Sequence, residues 1–202
     1  MSSQYEAYIW DKLYAAITNE IGTAALMGNL QAESGMIPYR KQGDFSSGYT
    51  ASITYTNNVN NGTYTENQFV NDSIGYGLAQ WTYYTRKQKL YNKKVNDGYS
   101  SIGDVDLACD FLVWELQTDY GSVWTALVNA TDLHTASDIV LVDFENPYDQ
   151  SQAVKDHRAA LGQAIYDTYV GGGPPTPPTP PGPPSPPTTL EIPIWMLFKF
   201  DN

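Results

Sequence analysis

The sequence is poor in the residues that cross-link or metallate a protein. Its 202 residues include one cysteine, Cys109, and two histidines, His134 and His157. A single thiol excludes an internal disulfide framework, and this set falls short of a zinc site, so no metal or cofactor is expected. No apolar run approaches the ~18–20 residues of a membrane-spanning helix. The start, Met1-Ser2-Ser3-Gln4, has no basic region followed by an apolar run, so no secretory signal is expected. Positive charge is scarce as well. Eleven Lys and Arg stand against 22 Asp and Glu, for a net charge of −11. That balance opposes nucleic-acid binding, which depends on neutralising phosphates. With 42% hydrophobic residues a normal core is expected.

Five of the basic residues cluster as Arg86, Lys87, Lys89, Lys93 and Lys94. They read either as the solvated face of a helix or as a local docking patch for an anionic polymer. Residues 174–187 hold ten of the thirteen prolines. That density predicts a polyproline spacer, after a flexible joint at Gly171-Gly172-Gly173. The expected organisation is a domain over 1–170, a Gly/Pro-rich linker over 171–187 and a short apolar tail over 188–202. The tail reads equally as a docking peptide for tail proteins, an anchor at a membrane surface, or the stub of another module.

Within 1–170 the pattern is mainly helical. Tyr5, Ile9, Leu13 and Ile17 recur every fourth residue. Thr18 or Asn19 suits the cap of a second helix that stops near Gly35, and Asp104 suits the cap of a third. Shorter helices are expected at 122–129 and 136–145, and a last one at 151–169 with His157 on its apolar face as a core histidine. Cys109 beside Phe111 and Leu112 reads as a packed thiol. Asp104, Asp106 and Asp110 lack the glycine and glutamate of a calcium loop. Residues 42–74 differ. The β-branched run Thr50 to Thr56, then Asn61-Gly62, then Thr63-Tyr64-Thr65, predicts a β-hairpin inserted between helices. The fold class expected is therefore α+β, mostly α-helical, with a cleft where the two parts meet.

Glu33, in Gln31-Ala32-Glu33-Ser34-Gly35, ends an otherwise apolar helix. The negative end of the helix dipole and partial burial both predict a raised pKa, the property glycoside cleavage requires of its acid. A solvated glutamate at a helix end is the plain alternative. Further on comes Gly75-Tyr76-Gly77-Leu78-Ala79-Gln80-Trp81-Thr82. Gln80 offers a donor and an acceptor to sugar groups, and Tyr76 and Trp81 offer flat faces for stacking or, equally, core packing.

This ordered set resembles the phage tail-tip lysozyme family, a branch of the lysozyme-like superfamily with goose-type lysozymes and soluble lytic transglycosylases. The resemblance runs over residues 5–169 and is carried by Gly28 to Gly35 and Gly77 to Thr82. Phe111 to Leu116 and Phe144-Glu145-Asn146-Pro147 with Arg158 support it more weakly. It implies a two-lobed helical fold cleaving the β-1,4 bond between N-acetylmuramic acid and N-acetylglucosamine in peptidoglycan. The family's catalytic glutamate maps onto Glu33 and its glycine-leucine-x-glutamine segment onto Gly77 to Gln80. A second carboxylate is sought among Asp44, Glu66 and Asp72. Asp44 is preferred as the nearest to Glu33. With none, Glu33 would serve as acid and then base, and the muramyl 6-hydroxyl would attack, giving a 1,6-anhydro product. Glu115 and Glu145 read as structural partners of Arg158 or another cation, with a role in the cleft as the alternative. The expected roles are an endolysin or a tail-associated lysozyme. Made in the host cytoplasm, it would reach the wall through a holin lesion or within the virion tail. The rival is a non-catalytic wall-binding or tail-structural module of the same fold.

Overall fold

The computed structural model describes residues 4–171. The linker and tail readings therefore lie outside the described residues, apart from Gly171. Helix α1 spans Glu6–Ile17, and its buried residues include Ile9, Leu13 and Ile17. Helix α2, Glu20–Ser34, is the axis of the domain. The Asn19 side chain accepts from Gly22 N–H at 2.9 Å and donates to the carbonyls of Val128 and Ala130, so one cap fixes both the start of α2 and a distant loop. Residues 22–30 are all buried, as expected of a helix with neighbours on every side. Gly35, in the left-handed region at φ 64°, closes α2 through a bond to the Gln31 carbonyl.

Helices α7 (Gly121–Val128), α8 (Leu133–Ile139) and α9 (Gln152–Tyr169) pack on this axis with α1, while α6 (Val105–Thr118) packs on α1 and α7 and carries α5 (Tyr84–Asn96). Asp104 caps α6 through bonds to the amides of Asp106 and Leu107. Helix α8 runs on into a π-helical segment, Val140–Glu145. Helix α9 packs on α2 at very close range. A Cβ built on Gly28 would lie 2.5 Å from Gly162 N and 2.6 Å from the Arg158 carbonyl oxygen. Cys109 is buried in α6, whereas His157 is exposed on α9 and forms no part of the core.

The expected hairpin does not form. Thr50–Asn60 is helix α3 and Glu66–Asn71 is helix α4. Among the described residues no strand is present, only the isolated bridges Lys41–Tyr76 and Tyr76–Trp81. The reason is periodicity. Ser52, Tyr55, Thr56 and Val59 recur at helical spacing, and all four are buried. Burying that face outweighs the β preference of threonine and tyrosine. Asn61-Gly62 ends α3 instead of turning a ribbon, with Gly62 at φ 79°. Thr65 and Gln68 then form a reciprocal capping box for α4.

The basic cluster forms α5, but the cations are largely committed. Lys87 is fully buried, with Nζ 2.5 Å from Asp72 Oδ1 and 3.0 Å from the Ile74 carbonyl. Arg86, Lys89 and Lys93 pair with Glu115, Asp119 and Asp97. No helix of the described residues is long and apolar enough to cross a membrane.

Candidate active site

The C-terminal end of α2, the loop at 40–45, the glycine-rich loop at 75–83 and the end of the π-helical segment enclose a cleft of about 360 Å³. Glu33, Arg40, Gln42, Gln80, Arg86 and Glu145 line it. Glu33 is the penultimate residue of α2, and its side chain keeps 21% of its exposure. Glu145 closes the π-helical segment with 3% exposure. Six residues in π geometry re-aim the last side chain relative to a continuing α-helix, and here that side chain faces Glu33.

Arg158, on α9, lies between the two carboxyls. Nη2 donates to Glu33 Oε1 and Nη1 to Glu145 Oε2, each at 2.5 Å, and Nη1 also reaches the Asn29 carbonyl at 3.2 Å. Two acids therefore share one close cation. Glu145 Oε1 is buried and receives no N–H or O–H donor among the described residues. Two carboxyls in contact are satisfied when one carries a proton. Burial, and then repulsion from Glu33, push the Glu145 carboxyl well above the usual glutamate range, against the pull of Arg158. Glu145 is thus the member of the pair whose surroundings favour the protonated form.

The structure brings Glu33 and Gln80 together at the cleft. Gln80 sits in the left-handed region at φ 46°, and its Nε2 donates to the carbonyls of Gly77 and Arg40. Its donors are thus spent on the loop, and its carbonyl oxygen remains for a ligand. Tyr76 and Trp81 do not line the cleft. Both are fully buried, Tyr76 sharing a hydrogen bond with Thr56 and Trp81 donating to Glu115 at 2.8 Å. Neither ring offers a free face, so both belong to the core reading. Gly77, at φ 78°, lets Trp81 pack directly on the backbone: a Cβ there would stand 2.6 Å from the indole. Glu115 also binds Arg86 through two bonds, of 2.6 and 2.7 Å, bracing the cleft wall from behind. The exposed aromatics at the cleft are Phe45 and Tyr83.

Asp44 does not join Glu33. It is buried, and its carboxylate accepts from the amides and hydroxyls of Ser46 and Ser52 at 2.6–3.1 Å. Although burial opposes it, these bonds hold the carboxyl below the usual range. Its side chain tethers the 40–45 loop to α3. Asp72 is tied to Lys87, Tyr55 and Tyr64, and exposed Glu66 to Gln88. Glu145, read from sequence as structural, is the second acid at the cleft. A glutamate ending a short apolar segment before Asn-Pro carries no mark of where it points.

The described residues thus form a mostly helical domain with two adjacent carboxyls, bridged by one arginine, at a cleft. The chain belongs to the phage tail lysozyme family, whose model matches residues 4–169. Comparison with curated proteins and with solved structures gives no match.

Proposed function

We propose that this lysozyme-like, cell-wall-acting domain is a peptidoglycan glycosidase in which Glu33 protonates the oxygen of the β-1,4 bond between N-acetylmuramic acid and N-acetylglucosamine. The observation that carries the reading is the Glu33–Arg158–Glu145 cluster opening on the cleft. Glu33 is the more exposed member of the pair and meets the substrate. Glu145 keeps the proton until Glu33 passes it on. As the proton leaves, the pair gains a negative charge opposite the oxocarbenium-like charge developing on the sugar. Arg158 keeps that extra charge from being prohibitive.

Among the described residues, the cleft has no carboxylate besides this pair. That favours a mechanism in which Glu33 acts as acid and then as base, with the muramyl 6-hydroxyl attacking to form a 1,6-anhydro end. Hydrolysis would instead deliver water to the same carbon. Mass spectrometry of wall digests decides between them: a 1,6-anhydro end marks transglycosylation and a reducing muramic acid end hydrolysis. Pelleting with walls and no glycan product would support the non-catalytic module. Association with a phage tail is part of the same proposal, on the strength of the family.

A further inference from the structure

Among the described residues, one cation lining the cleft forms no ion pair. Arg158 is committed to Glu33 and Glu145, and Arg86 to Glu115. Arg40 lines the cleft beside Gln42 and Gln80 and has no acidic partner among the described residues. Its guanidinium carbon lies 4.8 Å from the centroid of the Tyr49 ring. Such stacking supports the planar group on one face and leaves its N–H edge for an outside acceptor. The main chain at Arg40 is pinned independently, because its carbonyl accepts from Gly77 N–H at 2.9 Å and from Gln80 Nε2. The half-buried side chain is thus anchored on the same loops that present Gln80.

A protein of net charge −11 repels an anionic polymer at long range, so an acidic substrate needs a local cation at the groove. Resting on the glycosidase reading above, we infer that Arg40, the cleft cation without an acidic partner, binds a carboxylate on the muramyl side of the substrate. It thereby sets a preference for acidic muramyl glycans over neutral N-acetylglucosamine polymers. That carboxylate has two sources of the same chemistry. One is the lactyl group freed when the peptide stem is removed, and the other is the stem itself.

The test measures kcat/KM of the full chain on three substrates: intact peptidoglycan strands, strands stripped of stems by an amidase, and chitooligosaccharide. The ratio of acidic to neutral substrate should fall about tenfold in Arg40→Gln, mainly through KM, and return in Arg40→Lys. A fall confined to stripped strands assigns the lactyl carboxylate, and one confined to intact strands assigns the stem. A wild type that cleaves the substrates while the ratio stays unchanged in Arg40→Gln overturns this inference alone. A wild type that cleaves none overturns the glycosidase reading, and this inference with it.

Discussion

The carbonyl oxygen of Arg158 lies 2.6 Å from where a Cβ on Gly28 would stand, so the contact that packs α9 on α2 also places the cation of the acid pair. The obstacles are backbone atoms, which cannot swing aside. Gly28→Ala is expected to destabilise the domain by about 2–4 kcal/mol through overpacking. It should also weaken wall lysis at temperatures where the variant is still folded, because Arg158 withdraws from Glu33. Thermal melts beside turbidity assays check both; lowered Tm with full activity would separate packing from catalysis.

Glu33→Gln keeps the shape of the side chain and removes its acid. Loss of clearing of purified walls by roughly 10²–10⁴-fold is expected, the usual worth of a general acid. Tm should change little, since the side chain is partly exposed and the amide can still accept from Arg158. Retained lysis would take Glu33 out of the mechanism.

Glu145 makes a prediction about pH. Its folded-state pKa lies above the unfolded value of about 4.3, so between the two the native state binds more protons. Stability from this group is therefore greatest below that window and declines as pH rises through it. Glu145→Gln should flatten this decline, seen as Tm measured from pH 4 to 8. The alkaline limb of the lysis profile should also move to lower pH, because the pair has lost its buried proton holder. A role confined to packing would leave that limb in place.

Asp44 shows the opposite sign. Its pKa is depressed, so its contribution is present above the unfolded value of about 3.9 and is lost as pH falls through the folded value. Asp44→Asn is expected to cost about 1–3 kcal/mol through lost charge-assisted hydrogen bonds. Lysis below the melting transition should stay within about threefold of wild type. A collapse of kcat with unchanged Tm would instead return Asp44 to the chemistry.

The helical frame was legible because caps and spacing are local signals: Asn19, Gly35 and Asp104 do what their positions suggest. Residues 50–62 differ from the expected hairpin because threonine-rich composition and Asn-Gly speak for strands, while the three- and four-residue spacing of Ser52, Tyr55, Thr56 and Val59 speaks more quietly for a helix. Tyr76 and Trp81 show a related ambiguity. An aromatic beside glycine looks the same whether it stacks on a sugar or on the protein's own backbone. The place of Glu33 at the end of α2 was readable from the helix pattern and Gly35. Its partnership with Arg158 and Glu145 was not, because it depends on how α9 and a π-helical segment return to α2.

The members of that cluster come from far apart, Arg158 lying 125 residues from Glu33 and 13 from Glu145. In an extended polypeptide the three are separate side chains with no cause to meet. The cluster is therefore assembled only when the last helix docks, and a molecule truncated before Arg158 would keep the signature motifs and lose the bridge between the two acids.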